Sequence, residues 1–290
     1  MKALIHPQGP AFSKVIAGVW KWTSKDIVAS CIPTALEVGI TTFDHADIYG
    51  RYTIEELFGS VLKENPSWRK EMQLVSKCGI KLLADNRPDH RIKHYDTSFQ
   101  HIVNSAENSL RLLHTDYLDL LLIHRPDPLM QPEEVAKAFD HLQQSGKVKF
   151  FGVSNFTSSQ IDVLQRFCIQ PLVTNQIEVS LFKSDVFFDG TTDTMMRWKM
   201  GLMAWSPLGN GKYFSDEKLM NELNPFAEKY KASVAQILLA WLLKHPSNIF
   251  PITGTTKPER LIEAYQSLFI EIDRQDWFAM LKVIRGQDVA

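Results

Sequence analysis

Cysteine is scarce in this chain of 290 residues: Cys31, Cys78 and Cys168 are all it has. Three thiols so widely spaced build neither a disulfide framework nor a zinc site, so no metal site is expected, and they fit a reducing compartment. An excess of charge is lacking too. The formal net charge is −1, which leaves no electrostatic footprint for nucleic acid or an anionic membrane. No apolar run approaches the ~18–20 residues that a membrane span needs. The opening MKALIHPQGPAFSKV has two prolines and no long apolar core, so it does not read as a secretory signal. No Pro/Gly/Ser-rich linker divides the chain, and residues 1–290 are read as one domain. A soluble, cytoplasmic protein acting on a small molecule is expected; composition leaves the oligomeric state open.

What the chain does have is alternation. Eight short apolar runs read as strands: VIAGVW (15–20), ITTFD (40–44), MQLVSK (72–77), LDLLLIH (118–124), KFFGVS (149–154), LVTNQ (172–176), LMAWS (202–206) and NIFPIT (248–253). They suit parallel strands covered on both faces. Helical spacing lies between them, as in Phe99, Ile102, Val103, Ala106, Leu110 and Leu113. Thr157 with Gln160, Ser233 with Gln236, and Thr256 with Glu259 have capping-box spacing. Pro33 interrupts an otherwise regular helix and predicts a kink. Eight strands alternating with helices predict a closed (β/α)8 barrel. The structural alternative is an open doubly wound sheet, but no strand leads into a G-x-G-x-x-G turn.

A barrel gathers the C-terminal ends of its strands on one face, where chemistry sits. Those ends read Trp20, Asp44, Lys77, His124, Ser154 with Asn155, Gln176, Trp205 with Ser206, and Thr253. Any one alone has a bland explanation: a capping aspartate, a snorkelling lysine, a structural histidine. Their ordered recurrence carries the signal. Within TTFDHADIYG (41–50), Asp44 and Tyr49 lie close together. A lysine beside a phenol favours phenolate and is expected to pull tyrosine down from ~10 towards neutrality. The aspartate would hold that lysine charged, and the phenol would then serve as general acid or base.

The stretches TTFDHADIYG, LVSKCG, LDLLLIHRPDP, FFGVSNF, LVTNQIEVS, MAWSPLG and ITGTTKPERLIEA, in this order, resemble the aldo-keto reductases over essentially the full length. The likeness is strongest to the bacterial branch carrying DHADIYG and IHRPDP. It implies a catalytic set of Asp44, Tyr49, Lys77 and His124, in which tyrosine gives a proton to the carbonyl oxygen, lysine and aspartate tune it, and histidine orients the carbonyl. None of these side chains carries a hydride, so a cofactor must; the resemblance implies NADPH. By the same likeness Ser154, Asn155 and Gln176 meet the nicotinamide carboxamide and Trp205 stacks on its ring. Ser206, Leu208 and Gly209 lie over the pyrophosphate, and Thr255, Arg260 and Glu263 serve the adenosine end. Arg260 has the fork to pair with a 2′-phosphate. Gly254 and Ala264 depart from the lysine and asparagine that many members carry there. Trp20 and Arg125 are candidates for the substrate side, with Trp20 equally readable as core. His45 and Asp47 receive no role beyond shaping the loop or adjoining the cofactor. Two other functions compete: a lyase using Lys77 as Schiff-base nucleophile, and a regulatory or redox-sensing subunit that keeps the cofactor and turns over little.

Overall fold

In the computed structural model, which describes residues 1–289, eight parallel strands close into a barrel. They are β1 (Ile16–Gly18), β2 (Thr42–Asp44), β3 (Gln73–Cys78), β4 (Leu118–Ile123), β5 (Val148–Ser154), β6 (Leu172–Glu178), β7 (Gly201–Trp205) and β8 (Ile249–Thr253). Each pairs with its neighbours in chain order, and β8 closes on β1 through Ile252 opposite Ile16. All eight expected strands are present and the open-sheet alternative falls.

The outer layer holds α1 (Lys25–Val38), α2 (Ile54–Glu64), α3 (Phe99–Leu113), α4 (Pro132–Gln144) and α5 (Ser158–Phe167). It continues with α6 (Thr191–Arg197), α7 (Glu217–Lys229), α8 (Val234–Leu243), α9 (Pro258–Gln266) and α10 (Arg274–Arg285). The boxes at Thr157/Gln160 and Ser233/Gln236 form as their spacing predicts. The third does not. Lys257 sits at the start of α9 without a side-chain cap, because Pro258 takes the first helical position and displaces Thr256 outward. Pro33 lies inside α1, and the helix continues through it to Val38.

The period of two along a strand sorts side chains into an inside and an outside. Val75, Leu120, Leu122, Met203, Phe250 and Ile252 fill the barrel interior. The outward set, such as Leu74, Leu121, Phe151 and Leu202, packs under the helices. The N-terminal hairpin, Lys2–Leu4 with Ala11–Ser13, was not foreseen. It carries Ile5 and Phe12, both fully buried, into the interior cluster. A Cβ on Gly201, the first residue of β7, would sit 2.4 Å from Ile5. The hairpin therefore plugs the end of the barrel opposite the strand C-termini.

The long segment 78–97 is not wholly irregular. Ile80–Lys81 pairs with His94–Tyr95 in a small antiparallel ribbon beside the barrel mouth.

Candidate active site

The period that fills the barrel with apolar side chains delivers Asp44, Lys77, His124, Ser154, Gln176 and Trp205 to the mouth, at or just past the ends of six strands. All of them except Lys77 line a cavity of about 840 Å³, within the range of pockets that enclose sizeable ligands.

Lys77 is fully buried behind Asp44 and Tyr49, which line the cavity. Its Nζ donates to Asp44 Oδ2 at 2.8 Å, to Tyr49 Oη at 2.9 Å and to the His45 carbonyl at 2.6 Å. All three ammonium donors are therefore used. Burial alone would lower this lysine; Asp44 and Tyr49 outweigh it and leave the ammonium raised. Gln176 Nε2 donates to the other Asp44 oxygen at 2.8 Å, so the carboxylate is held at both ends. This link joins Gln176 to the Asp44–Lys77–Tyr49 cluster. Sequence spacing gives no hint of a contact spanning 132 positions.

Tyr49 departs from expectation. Burial raises the phenol above the usual tyrosine range and Asp44 adds to the rise, while Lys77 pulls down without prevailing. The expected net lowering is thus corrected: the phenol is enclosed, and desolvating a phenolate costs more than one ammonium returns. Because Tyr49 Oη accepts from Lys77, its own proton is free to be donated elsewhere.

His124 lies edge-on to Tyr49, with ring centroids 6.0 Å apart. Burial, reinforced by Lys77, Arg125 and Lys93, holds it well below the usual histidine range, so the ring is neutral. Its Nδ1 is buried without a partner among the described residues, which leaves Nε2 to make any polar contact with a ligand. Asn155, at φ 60°, donates to Ser154 Oγ at 2.8 Å and accepts from Trp205 Nε1 at 3.1 Å. Ser154 Oγ in turn donates to the Gln176 carbonyl at 2.7 Å. Of the three residues expected around a carboxamide, Ser154 and Asn155 thus link by their side chains, and Gln176 joins through its main-chain carbonyl.

From this end the cavity runs past Ser206 and Leu208 to Thr255, Arg260 and Glu263. Gly209 does not line it. Tyr213 and Phe182 stack 3.9 Å apart over Gly209, and a Cβ there would meet Tyr213 at 2.6 Å. Glu263 accepts from Ser233 Oγ at the start of α8. Lys21, Asn210 and Ser233 also line the cavity and were missed. Lys21 had only its position after Trp20 to mark it; Ser233 was read solely as a helix cap. Trp20 is 47% exposed, which excludes the core reading. Its indole lies over Gly254, where a Cβ would stand 2.7 Å from Nε1. The position that commonly holds lysine is therefore occupied from outside by a tryptophan. Arg125 places its guanidinium 5.7 Å from the Trp205 ring centroid.

A parallel eight-stranded barrel with an aspartate, lysine and tyrosine joined at its C-terminal mouth, beside a neutral histidine, is an arrangement for moving protons to and from a polar bound group. Family comparison agrees: the model for the Aldo/keto reductase family matches residues 14–285, and the chain belongs to that family. It is 47% identical to Oxidoreductase YdhF of Escherichia coli over 98% of both chains. It is 43% identical, over 96% of both, to a 6-dehydroglucose reductase of Agrobacterium fabrum. Among solved structures it resembles the thermostable aldo-keto reductase Tm1743, crystallised with the inhibitor epalrestat. That match has a TM-score of 0.84 and 26% identity, covering 98% of this chain and 99% of that one. Members of the family are oxidoreductases that generally use nicotinamide cofactors, and carbonyl reduction is the activity these relatives support.

Proposed function

We propose that this chain, acting as one catalytic domain in the cytoplasm, reduces an aldehyde or ketone with NADPH, Tyr49 being the proton donor. The observation that carries the reading is the Lys77 ammonium, sealed from water and shared between Asp44 and Tyr49. A lysine so engaged is no nucleophile, which disfavours a Schiff-base lyase. The cavity suits a dinucleotide in its two unlike ends: the Ser154–Asn155–Gln176 chain near Tyr49, and Arg260 with Glu263 at the far end.

When bound, NADPH supplies the hydride. Asn155 and Ser154 would hold its carboxamide, Trp205 would cover its ring, and Arg260 would meet the 2′-phosphate. The substrate carbonyl lies between Tyr49 Oη and His124 Nε2, each giving it a hydrogen bond. As charge grows on the carbonyl oxygen, Tyr49 releases its proton there, and Lys77 stabilises the phenolate left behind. Asp44 keeps the lysine charged and in place.

Relatives named 6-dehydroglucose reductase make polyhydroxylated aldehydes the first substrates to try. Arg125 has no ion pair among the described residues and offers donors at the same mouth.

The test pairs two variants. Tyr49→Phe should lower carbonyl reduction ~10²–10⁴-fold while NADPH binding stays close to wild type. Arg260→Ala should weaken NADPH ten- to a hundredfold, about the worth of a charge-assisted hydrogen bond, and leave NADH little changed. Unchanged kcat/KM in Tyr49→Phe, measured where chemistry limits the rate, would sink the catalytic assignment. Tight NADPH binding with no turnover of any carbonyl would instead support the cofactor-sensing reading.

A further inference from the structure

Behind the catalytic lysine lies a pair of buried acids that the proposed mechanism does not use. Side chains alternate along β3: Lys77 points into the barrel and Ser76 outward, towards the helices. There Ser76 Oγ donates to Glu55 Oε1 of α2 at 2.5 Å, and Ser109 Oγ of α3 donates to Glu55 Oε2 at 2.8 Å. One turn earlier on α3, Ser105 Oγ donates to Asp47 Oδ2 at 2.8 Å. Two serines at i, i+4 thus tie the loop after β2 and the start of α2 to one face of α3.

The two acids are not equally satisfied. Each oxygen of Glu55 has a donor. Asp47 Oδ1 is buried without a partner among the described residues. A buried carboxylate with one oxygen left bare is a poor anion. The charged and titratable groups facing Asp47 are Glu55 from α2, Arg87 and Tyr52 from the flanking loops, and Lys77 and Cys78 on β3. The Lys77 charge is already committed to Asp44. Asp47 is also built into the backbone that presents Tyr49. Its N–H donates to the Lys77 carbonyl at 3.0 Å, and Tyr49 N donates to the Ala46 carbonyl at 3.1 Å.

We propose that Asp47 is a positioning residue: held protonated in the folded protein and tied to Ser105, it fixes the Ala46–Tyr49 turn on β3 and so keeps the phenol on Lys77. Burial first, then Glu55, push the Asp47 carboxyl up to about 8, in line with the geometry. Its ionisation then puts an unsatisfied charge under the turn, loosening it in mildly alkaline solution. The sign for stability follows. An acid raised in the folded state contributes stability fully below its unfolded value of 3.8, and that contribution is lost as pH rises to about 8. The kinetic part rests on Tyr49 as proton donor; the stability part does not, so the two readings fail separately.

The experiment measures Asp47→Asn, a neutral isostere, by thermal melts at several pH values and by the pH profile of kcat/KM. The variant should melt above wild type, by a margin that widens between about pH 6.5 and 8. Its neutral-pH kcat/KM should stay within about threefold of wild type, and the alkaline limb near the raised Asp47 value should vanish. Ser105→Ala cuts the tether and keeps the acid; it should lower kcat about tenfold with little change in the KM for NADPH. Asp47→Asn melting at or below wild type throughout, or an unaltered alkaline limb, would overturn the proposal. Should that variant fail to fold, wild-type stability that stays flat between about pH 6.5 and 8 would overturn it equally.

Discussion

Lys77→Met separates what the buried lysine does for the fold from what it does for the chemistry. Methionine fills much of the same volume and removes the charge with all three hydrogen bonds. Lys77 is 0% and Asp44 2% exposed, so Asp44 loses its counter-charge where water does not replace it. Breaking a buried ion pair on one side costs about 3–5 kcal/mol, a large share of the 5–15 kcal/mol that typically holds a domain together. Gln176 remains on Asp44 Oδ1, which places the cost towards the lower end. The phenol loses the strongest influence drawing it down, so activity should also fall ~10²–10⁴-fold. The decisive variant is the double change Asp44→Asn with Lys77→Met. With both charges gone, most of the stability should return, because a missing pair is far cheaper than an orphaned member. Activity should not return. Urea unfolding reads the first quantity and kcat/KM with a good aldehyde the second. A single variant destabilised by less than about 1 kcal/mol, or a double variant that regains turnover, would refute the argument.

Two further predictions concern neighbours of the site. His45 is fully buried with neither ring nitrogen bonded among the described residues, and burial and then Lys77 lower it from 6.5 to about 3. The stability it contributes is present above 6.5 and lost as pH falls towards 3, so the stability difference between wild type and His45→Met should shift against wild type across that acid range, as read by chemical melts. Gly59 in α2 faces the end of α3, where a Cβ would lie 1.9 Å from the Leu112 carbonyl oxygen. Helix propensity alone predicts that Gly59→Ala gains about 1 kcal/mol; the close approach predicts a loss of 1–3 kcal/mol instead, and urea midpoints decide the sign.

What was legible in the sequence followed from periodicity. The eight strands needed only short apolar runs, and the residues at their ends needed only the rule that parallel strands finish on one face. Two of three capping boxes formed for the same reason, since a cap is settled within four residues. The failures share a cause. The direction of the Tyr49 shift depends on how completely the phenol is enclosed, and neighbours in sequence do not reveal that. Gln176 on Asp44, Glu55 between Ser76 and Ser109, and Trp20 laid over Gly254 are contacts between distant segments. The N-terminal hairpin escaped notice because its pairing joins two strands that lie outside the eight apolar runs and alternate with no helix.

The plug at the barrel floor has a consequence for the order in which the molecule is made. Ile5 and Phe12 leave the ribosome long before β8, yet their cover includes Phe250 on β8. The Leu4 carbonyl accepts from Asn248 across 244 positions, and Lys14 donates to the same asparagine across 234. β1 likewise waits for β8 before the ring can close. These apolar residues therefore stay exposed until β8 is out, so the barrel cannot be completed strand by strand as it emerges. Contacts this distant slow folding and lengthen the time spent with sticky surface uncovered. A nascent chain halted before β8 would carry the segments of α1 to α8 and of the first seven barrel strands, but no floor, no closed ring and no site.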